Sequence, residues 1–158
     1  MQIDSIVMKN LKIWSLLILL AATVSSCNNG TDKPAAGLEH IVNEWKLATW
    51  GGADAPFTVY IDFNEDNTYE MYQQVYGLEF VKFSGTYNVS GNIVTGTYSD
   101  GQNWKSGYKA SISGDFNTLV LNSQEDVSIE SVYEVTLIPE DIRTEASTRS
   151  VVGVEPLL

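Results

Sequence analysis

Hydrophobic and polar residues alternate with a period of two along most of the chain from Trp45 to Leu137. The alternation is strictest from Phe57 to Phe63, and it resumes after each cluster of turn residues. Because a period of two places successive side chains on opposite faces of a β-strand, each such stretch predicts a half-buried strand. The pattern predicts eight strands, at residues 45–50, 57–63, 69–73, 81–89, 92–98, 104–112, 119–121 and 129–137.

Turn residues between the strands predict their register. The polar run Asn64–Asn67 lies between Phe63 and Tyr69, and a shared face for these two rings makes Asn67 a candidate for a positive φ angle. Ser90-Gly91 predicts a two-residue turn that pairs Val89 with Asn92 and places the bulky residues of both strands on one face. The other facing pairs would be Tyr87 with Val94, Gly85 with Gly96 and Phe83 with Tyr98.

The connections between the predicted strands are too short to hold a helix that crosses over to a parallel neighbour. The strands therefore run antiparallel, and an open sheet of eight would leave two unpaired edges. We predict an all-β fold, an eight-stranded up-and-down antiparallel barrel whose interior holds side chains or one small ligand. A two-sheet sandwich is the alternative.

Helical patterns occur only at the ends of this region. Leu38, Ile41 and Val42 are spaced as on one face of a helix, which predicts a short helical turn before the first strand. Pro139-Glu140-Asp141 predicts a helix start. We expect the remainder, to Leu158, to be loose or a weakly docked strand.

An apolar run from Ile13 to Ala22 precedes Val24-Ser25-Ser26-Cys27 and follows the basic residues Lys9 and Lys12. The run is shorter than the roughly 20 apolar residues that a membrane span needs. The arrangement looks like a bacterial lipoprotein signal peptide, cut before Cys27 so that the thiol carries lipid. A buried hydrophobic helix with an inert core cysteine is the alternative.

Met8 opens this signal better than Met1, because Asp4 would otherwise lie in its basic region, and we expect translation to start at Met8. Acyl chains such as palmitate on Cys27 would anchor the chain in a membrane. Asn28 is not the aspartate that retains some lipoproteins in the inner membrane, so we expect the outer membrane of the cell envelope, with a periplasmic or surface-facing domain. The expected organisation is a signal peptide at 1–26, a flexible tether at 27–37, the barrel at 38–138 and a C-terminal helix and tail at 139–158.

The formal net charge of the chain is −11, from nine basic and twenty acidic residues. Removal of residues 1–26 takes away Lys9, Lys12 and Asp4, which leaves seven basic and nineteen acidic residues and a charge of −12. Such a charge repels nucleic acid and anionic lipid headgroups, so we expect neither as a partner.

Side chains that could carry out chemistry are few. His40 is the only histidine, and with the only cysteine assigned to the lipid it cannot build a nucleophilic triad, so we expect it to be a solvated surface residue. Four carboxylates near one predicted hairpin could be imagined as calcium ligands or as an acid–base pair, but their spacing matches no known calcium loop and turn composition explains them. They are Asp62, Glu65, Asp66 and Glu70. We therefore predict no metal, no cofactor and no enzymatic activity.

Seven aromatic residues fall on the predicted inward face and are the candidate lining of a pocket: Trp45, Phe83, Tyr87, Tyr98, Trp104, Tyr108 and Tyr133. A buried tyrosine or tryptophan needs a hydrogen-bond partner or access to water. This predicts a partly wet pocket mouth with Thr49, Gln73 and Ser106 at its wall, and space beside Gly85 and Gly96 for a sharp bend or a ligand. Plain core packing of the rings is the alternative.

The strand pattern resembles the lipocalin-like (calycin-type) domains of small bacterial lipoproteins over about residues 38–138. Asn43-Glu44-Trp45 stands where that family has Gly-x-Trp on the first strand, and Asp115-Phe116 matches an aspartate and an aromatic residue between the sixth and seventh strands. Arg143 stands where the family has an arginine that packs on the first-strand tryptophan. The resemblance implies a barrel that binds a small apolar molecule.

Two functions are consistent with these patterns. The first is a lipid-anchored envelope protein that binds a small hydrophobic or amphipathic ligand in the barrel. The alternative is a protein-interaction module with a filled barrel, such as an inhibitor or a subunit of an envelope complex. This module would use aromatic residues predicted to face outward, which are Trp50, Tyr60 and Tyr72.

Overall fold

The computed structural model describes residues 33–74, 79–146 and 154–158 of the chain. The predicted signal peptide, its start at Met8, the cleavage site and Cys27 lie outside the described residues. Among the described helices, none is both long and apolar enough to cross a membrane. The last residues of the expected tether contact the barrel, because the N–H of Ala35 donates a hydrogen bond to the carbonyl oxygen of Gly91 at 2.6 Å.

The described chain forms one antiparallel sheet between a 3₁₀ helix and a short α-helix. In chain order the elements are the 3₁₀ helix (Leu38–Ile41), β1 (Glu44–Trp50), β2 (Ala53–Asp54), β3 (Thr58–Phe63), β4 (Thr68–Gln74), β5 (Val81–Ser90), β6 (Ile93–Tyr98), β7 (Tyr108–Ile112), β8 (Thr118–Ser123), β9 (Glu130–Val135) and α1 (Glu140–Glu145). Neighbours pair in chain order from β3 to β9, and β1 pairs with both β3 and β9. This closure confirms the predicted eight-stranded antiparallel barrel, to which β2 adds a two-residue strand beside β1.

Alternation along the strands fills the barrel interior with large side chains. The inward apolar and aromatic residues of β3 and β4 are at most 1% exposed: Val59, Ile61, Phe63, Tyr69 and Met71. The 3₁₀ helix covers one end of the barrel, where Leu38 and Ile41 are buried and the Ile41 carbonyl accepts a hydrogen bond from the Trp45 indole at 2.8 Å. Burying each such side chain stabilises the fold by roughly 1.5–3 kcal/mol.

The turn between β3 and β4 has the predicted register. Phe63 pairs with Tyr69, and Asn67 has a φ angle of 64°. The Asp66 carboxylate accepts hydrogen bonds from the N–H and the hydroxyl of Thr68, at 3.0 and 2.6 Å. The predicted pairing and the predicted positive φ are therefore both confirmed.

The register of β5 and β6 differs from the predicted one by two residues. Gly91-Asn92 forms the turn and Ser90 pairs with Ile93, so the predicted pairing of Val89 with Asn92 is wrong. Gly91 has a φ angle of 59°, which glycine adopts readily at the first position of a two-residue turn. Because a shift of two keeps every side chain on its own face, the bulky residues still face inward.

Gly85 and Gly96 mark places where other atoms approach the backbone closely. A Cβ atom on Gly85 would stand 2.0 Å from the carbonyl oxygen of Thr97. One on Gly96 would stand 2.2 Å from Cε2 of Trp104, whose indole covers the glycine. The prediction of space for a ligand here is therefore wrong, because backbone and indole atoms occupy that space.

A β-bulge in β1 reverses the side of the sheet that its last residues face. Leu47 pairs with Tyr133 of β9, and Trp50 pairs with Ser131. The chain therefore advances three residues along β1 but only two along β9, so β1 contains one extra residue. Tyr133 and Ser131 are both buried on the inner face. Trp50 therefore shares the inner face and Thr49 the outer one, the reverse of both predictions.

The predicted strand at 104–112 begins later, at Tyr108. Trp104 and Ser106 lie in the connection between β6 and β7, which bends at residues 105 and 106 and forms no strand. The N–H of Trp104 donates to the carbonyl oxygen of Gly96 at 2.9 Å. Trp104, Ser106 and Tyr108 are buried, whereas Lys105 and Lys109 are exposed. Burial therefore alternates along this connection without strand pairing, which explains why the predicted strand is longer.

The outer face of β3 and β4 is covered. Tyr60 and Tyr72 face outward as predicted, but they are only 8% and 1% exposed. The side chains packed with them are Phe80, Ile138, Ile142 of α1 and Ala146. The prediction that these two tyrosines anchor a protein partner is wrong, because the chain itself covers them.

Arg143 holds α1 against this outer face through carboxylates. The nearest oxygens belong to Asp62 at 3.0 Å, Glu44 at 3.0 Å and Glu70 at 3.8 Å. Burial alone would lower the pKa of Arg143, but the carboxylates of Asp62 and Glu44 outweigh burial and raise it. The guanidinium lies 6.0 Å from the centroid of the Tyr72 ring. The contact with Trp45 implied by the resemblance is wrong, because Trp45 is fully buried inside the barrel.

Replacing Arg143 with methionine should lower the free energy of unfolding by about 1–2 kcal/mol, because three carboxylates lose their shared partner. The control Lys109→Met removes an exposed cation from β7 and should change it by less than about 0.5 kcal/mol. Urea denaturation measures both values. Equal effects would show that Arg143 does not hold α1 on the barrel.

Candidate functional site

Gln73 is a polar residue on the inward face of β4, and it is 2% exposed. Burying an amide without hydrogen bonds costs about 1–3 kcal/mol, so its partners are informative. Its Nε2 donates to the carbonyl oxygen of Glu155 at 2.8 Å, and its Oε1 accepts from the N–H of Leu157 at 2.9 Å. Both partners belong to the segment Val154–Leu158, which returns to the barrel after α1.

This segment enters the end of the barrel away from the 3₁₀ helix, which we call the mouth. Leu158 is 1% exposed and packs in the main core, and its main-chain oxygen accepts a hydrogen bond from the Tyr98 hydroxyl at 2.6 Å. Glu155 pairs with Lys105 at 2.7 Å, with both side chains largely exposed. The segment is docked, but it forms no strand.

A cavity of about 680 Å³ opens at the mouth beside the segment. Its apolar wall consists of Trp50, Phe57, Tyr108, Ile129, Pro156 and Leu157. Trp50 packs edge-on against Phe57, with ring centroids 5.7 Å apart. Its polar lining consists of the neutral residues Gln73, Ser106 and Ser123 and the charged residues Lys105, Glu125, Asp126 and Glu155. This volume and this mixture of apolar walls with a few polar groups are typical of sites for small molecules.

A second cavity, of about 500 Å³, lies on the other side of the segment. Phe83, Tyr98, Val154 and Pro156 form its apolar part, and the charged residues Glu70, Lys82, Asp100 and Glu155 also line it. Glu155 and Pro156 line both cavities, so the segment separates them.

Ser106 ties together the loops that shape the mouth. Its hydroxyl donates to the carbonyl oxygen of Gly107 at 2.7 Å and accepts from the N–H groups of Gln124 and Glu125 at 3.0 and 3.2 Å. The Ser123 hydroxyl lies 3.0 Å away and donates to it. These hydrogen bonds join the connection before β7 to the loop after β8, so this side of the mouth is pre-formed.

The seven aromatic residues of the predicted pocket occupy different parts of the barrel. Tyr108 lines the first cavity, and Phe83 and Tyr98 line the second. Trp104 lies over Gly96 and donates a hydrogen bond from its indole to the Tyr69 hydroxyl at 2.8 Å. The other three lie deeper in the core and are Trp45, Tyr87 and Tyr133.

The deep aromatic residues behave as packed core. The Tyr87 hydroxyl donates to the carbonyl oxygen of Asn64 at 2.9 Å, and the Trp45 indole is bonded to Ile41. The Tyr133 hydroxyl is the one buried side-chain polar atom in the described residues without a hydrogen-bond partner. The structure thus brings together at the mouth only Tyr108, Phe83 and Tyr98 of the predicted set.

Tyrosine hydroxyls at the mouth are protonated at neutral pH. Burial raises the pKa of Tyr108 to about 12, and burial also raises the pKa of Tyr98. Both side chains therefore present neutral hydroxyl groups, which form hydrogen bonds instead of exchanging protons near pH 7.

Three of the four carboxylates considered as calcium ligands bond to the protein itself: Asp62 to Arg143, Asp66 to Thr68 and Glu70 to Lys82. Glu70 pairs with Lys82 at 2.6 Å; burial alone would raise the pKa of Glu70, but hydrogen bonds from Lys82 and Tyr72 outweigh it and lower the pKa. No group of three or more histidine, cysteine or acidic residues in the described ranges is arranged to hold a metal ion. His40 is exposed and stacks on Phe116, with ring centroids 3.9 Å apart.

Among the parts of the mouth that the sequence does not predict are Trp50, Lys105 and the segment Val154–Leu158. The pair Leu157-Leu158 was an available signal, because two adjacent leucines gain from burial. For Trp50 no local signal exists, since the bulge that turns it inward depends on the pairing of β1 with β9.

A family model described as the Lipocalin-like domain matches residues 41–136, a range that contains every strand of the barrel. A search of curated proteins finds no match to the chain. Because the family match covers more than half of the chain and coincides with the closed barrel, the chain belongs to the lipocalin-like domain family.

Proposed function

We propose that the chain is a non-enzymatic, lipid-anchored envelope protein that binds a small hydrophobic or amphipathic molecule at the mouth of its barrel. The cavity of about 680 Å³ carries this proposal, because its volume suits a small molecule and three aromatic rings line it. The Tyr108 hydroxyl at its wall would orient a polar group of the ligand. Such barrels host many functions, so the proposal rests on this site rather than on the fold.

The proposed location rests on the sequence. The basic, apolar and small-residue segments before Cys27 support a lipid anchor there, in the outer membrane of the cell envelope. The polar lining of the mouth combines the Gln73 amide and two serine hydroxyls with charged residues such as Lys105 and Glu125, which supports binding of an amphipathic molecule.

Ile129→Asp should raise the Kd for cis-parinaric acid, a fluorescent fatty acid, by about tenfold or more, because it places a charge in the apolar wall of the cavity. Val127→Asp is the matched control, since Val127 lies in the same loop, is 87% exposed and is outside the cavity wall. Fluorescence titration of the full chain measures both. Equal affinity in the unchanged chain and in Ile129→Asp, or no binding to the unchanged chain, would contradict the proposal.

A further inference from the structure

Gln73 contacts the main chain of the segment Val154–Leu158 in the manner of a neighbouring β-strand. Its amide donates to the carbonyl oxygen of Glu155 and accepts from the N–H of Leu157, the groups on either side of Pro156. In a parallel β-ladder, a residue donates to the carbonyl of the residue before its partner and accepts from the N–H of the residue after it. Here Pro156 stands in the position of the partner. The Gln73 side chain therefore recognises main-chain N–H and carbonyl groups, which any extended peptide presents.

Proline fits the central position of this arrangement. The residue between the two bonded groups contributes neither its nitrogen nor its carbonyl oxygen to Gln73, so the missing N–H of Pro156 costs no hydrogen bond there. Proline also biases Glu155 towards an extended conformation. The segment is thus pre-ordered for this contact, which lowers the entropy lost on docking.

Specificity comes from the inner end of the segment. Leu158 is buried among core residues and Leu157 packs beside them, while the Tyr98 hydroxyl adds a third hydrogen bond to the main chain. At the outer end, Glu155 forms an exposed ion pair with Lys105. The site therefore selects apolar residues that enter the barrel and accepts polar residues at the rim.

The segment occupies the mouth without filling it, because cavities of about 680 and 500 Å³ flank it. Contacts of Glu155, Leu157 and Leu158 hold it, and three of these are hydrogen bonds to main-chain groups. Such contacts can be made equally by a peptide from another molecule.

We propose that the mouth is a peptide-binding site, that Val154–Leu158 is its intramolecular occupant, and that its external ligand is an extended peptide whose apolar residues enter the barrel and displace this segment. The inference rests on the proposed function, since both use the same mouth, and it names the ligand class. An intramolecular ligand competes at an effective concentration of about millimolar, so the unmodified chain should bind such peptides weakly.

The test compares the full chain with a variant that lacks residues 154–158. A synthetic peptide Val-Glu-Pro-Leu-Leu, titrated by calorimetry, should bind the variant about tenfold or more tightly than the full chain. Adding Gln73→Met to the variant should weaken peptide binding about tenfold. A peptide methylated on the nitrogen equivalent to that of Leu157 should show the same loss, because it keeps every side chain and lacks one N–H.

Titration of the same variant with cis-parinaric acid separates this inference from the proposed function. Binding of the fatty acid without binding of the peptide would overturn the inference and leave the proposed function standing. Binding of neither molecule would overturn both.

A second variant covers the case in which the shortened chain does not fold. Leu158→Asp keeps the full length and should release the segment, because a carboxylate is costly in the core. Its circular dichroism spectrum should match that of the unchanged chain, and its peptide affinity should rise about tenfold. An affinity equal to that of the unchanged chain would overturn the inference.

Discussion

Replacing Trp104 with alanine should lower the free energy of unfolding by about 3–5 kcal/mol, because the indole is 5% exposed and packs inside the barrel. Its ring lies 5.2 Å from that of Tyr69 and 6.0 Å from that of Tyr108, centroid to centroid, and it covers Gly96. The substitution also removes the hydrogen bond that the indole N–H donates to the Tyr69 hydroxyl, and the Tyr69 side chain is fully buried. Urea denaturation followed by fluorescence measures the change.

Trp104→Phe separates the two causes. It keeps an aromatic ring and removes the hydrogen bond, so its cost should be well below that of Trp104→Ala and include about 1 kcal/mol for the bond. A loss below about 1 kcal/mol for Trp104→Ala would contradict the packing of this residue as a core element.

Gly85→Ala should lower the free energy of unfolding by about 3 kcal/mol or more, since its Cβ atom would stand 2.0 Å from the carbonyl oxygen of Thr97. That oxygen belongs to the backbone of β6, which is paired along its length with β5, so it cannot move without opening the barrel wall. The clash is therefore not relieved by a change of rotamer.

Gly114→Ala is the matched control for Gly85→Ala. A Cβ atom on Gly114 meets nothing within 4 Å, and its φ angle is not positive, so the change should stay within about 0.5 kcal/mol. Thermal unfolding of the two variants gives the comparison. Similar melting temperatures would contradict the close approach of β5 and β6 at this point.

The barrel could be predicted from the sequence because burial on one face imposes the period of two on each strand. The register of β3 and β4 was predictable as well, since the loop between Phe63 and Tyr69 required a residue such as Asn67 that tolerates a positive φ angle. For β5 and β6 two adjacent turns were possible around Gly91. The choice between them shifts the pairing by two residues and leaves the faces unchanged, so the pattern of burial could not decide it.

The mouth was harder to predict, because it depends on contacts between distant parts of the chain. The inward position of Trp50 follows from a bulge in the pairing of β1 with β9. The residues near Trp50 do not predict this bulge. Gln73 was placed at the mouth from its position in the inward row of β4. Its partners were not foreseen, since Glu155 and Leu157 lie more than eighty residues away.

The covering of Tyr60 and Tyr72 also depends on a distant segment. Ile138, Ile142 and Ala146 recur every four residues, a helical spacing that indicates one apolar face. That spacing predicts an apolar face that packs against another element, but it does not predict which strands of the barrel that face covers. The ion pairs of Arg143 with carboxylates from β1, β3 and β4 fix the helix on this part of the barrel.

The central claim is that ligands bind at the mouth beside Gln73, and the side-chain amide signals of the full chain test it most directly. In a ¹H–¹⁵N nuclear magnetic resonance titration with cis-parinaric acid, the Gln73 amide should shift, because the ligand enters the space next to its partners. The Asn64 amide, bonded to Thr68 at the opposite end of β4, should stay unchanged. A shift of Asn64 with no shift of Gln73 would contradict the claim.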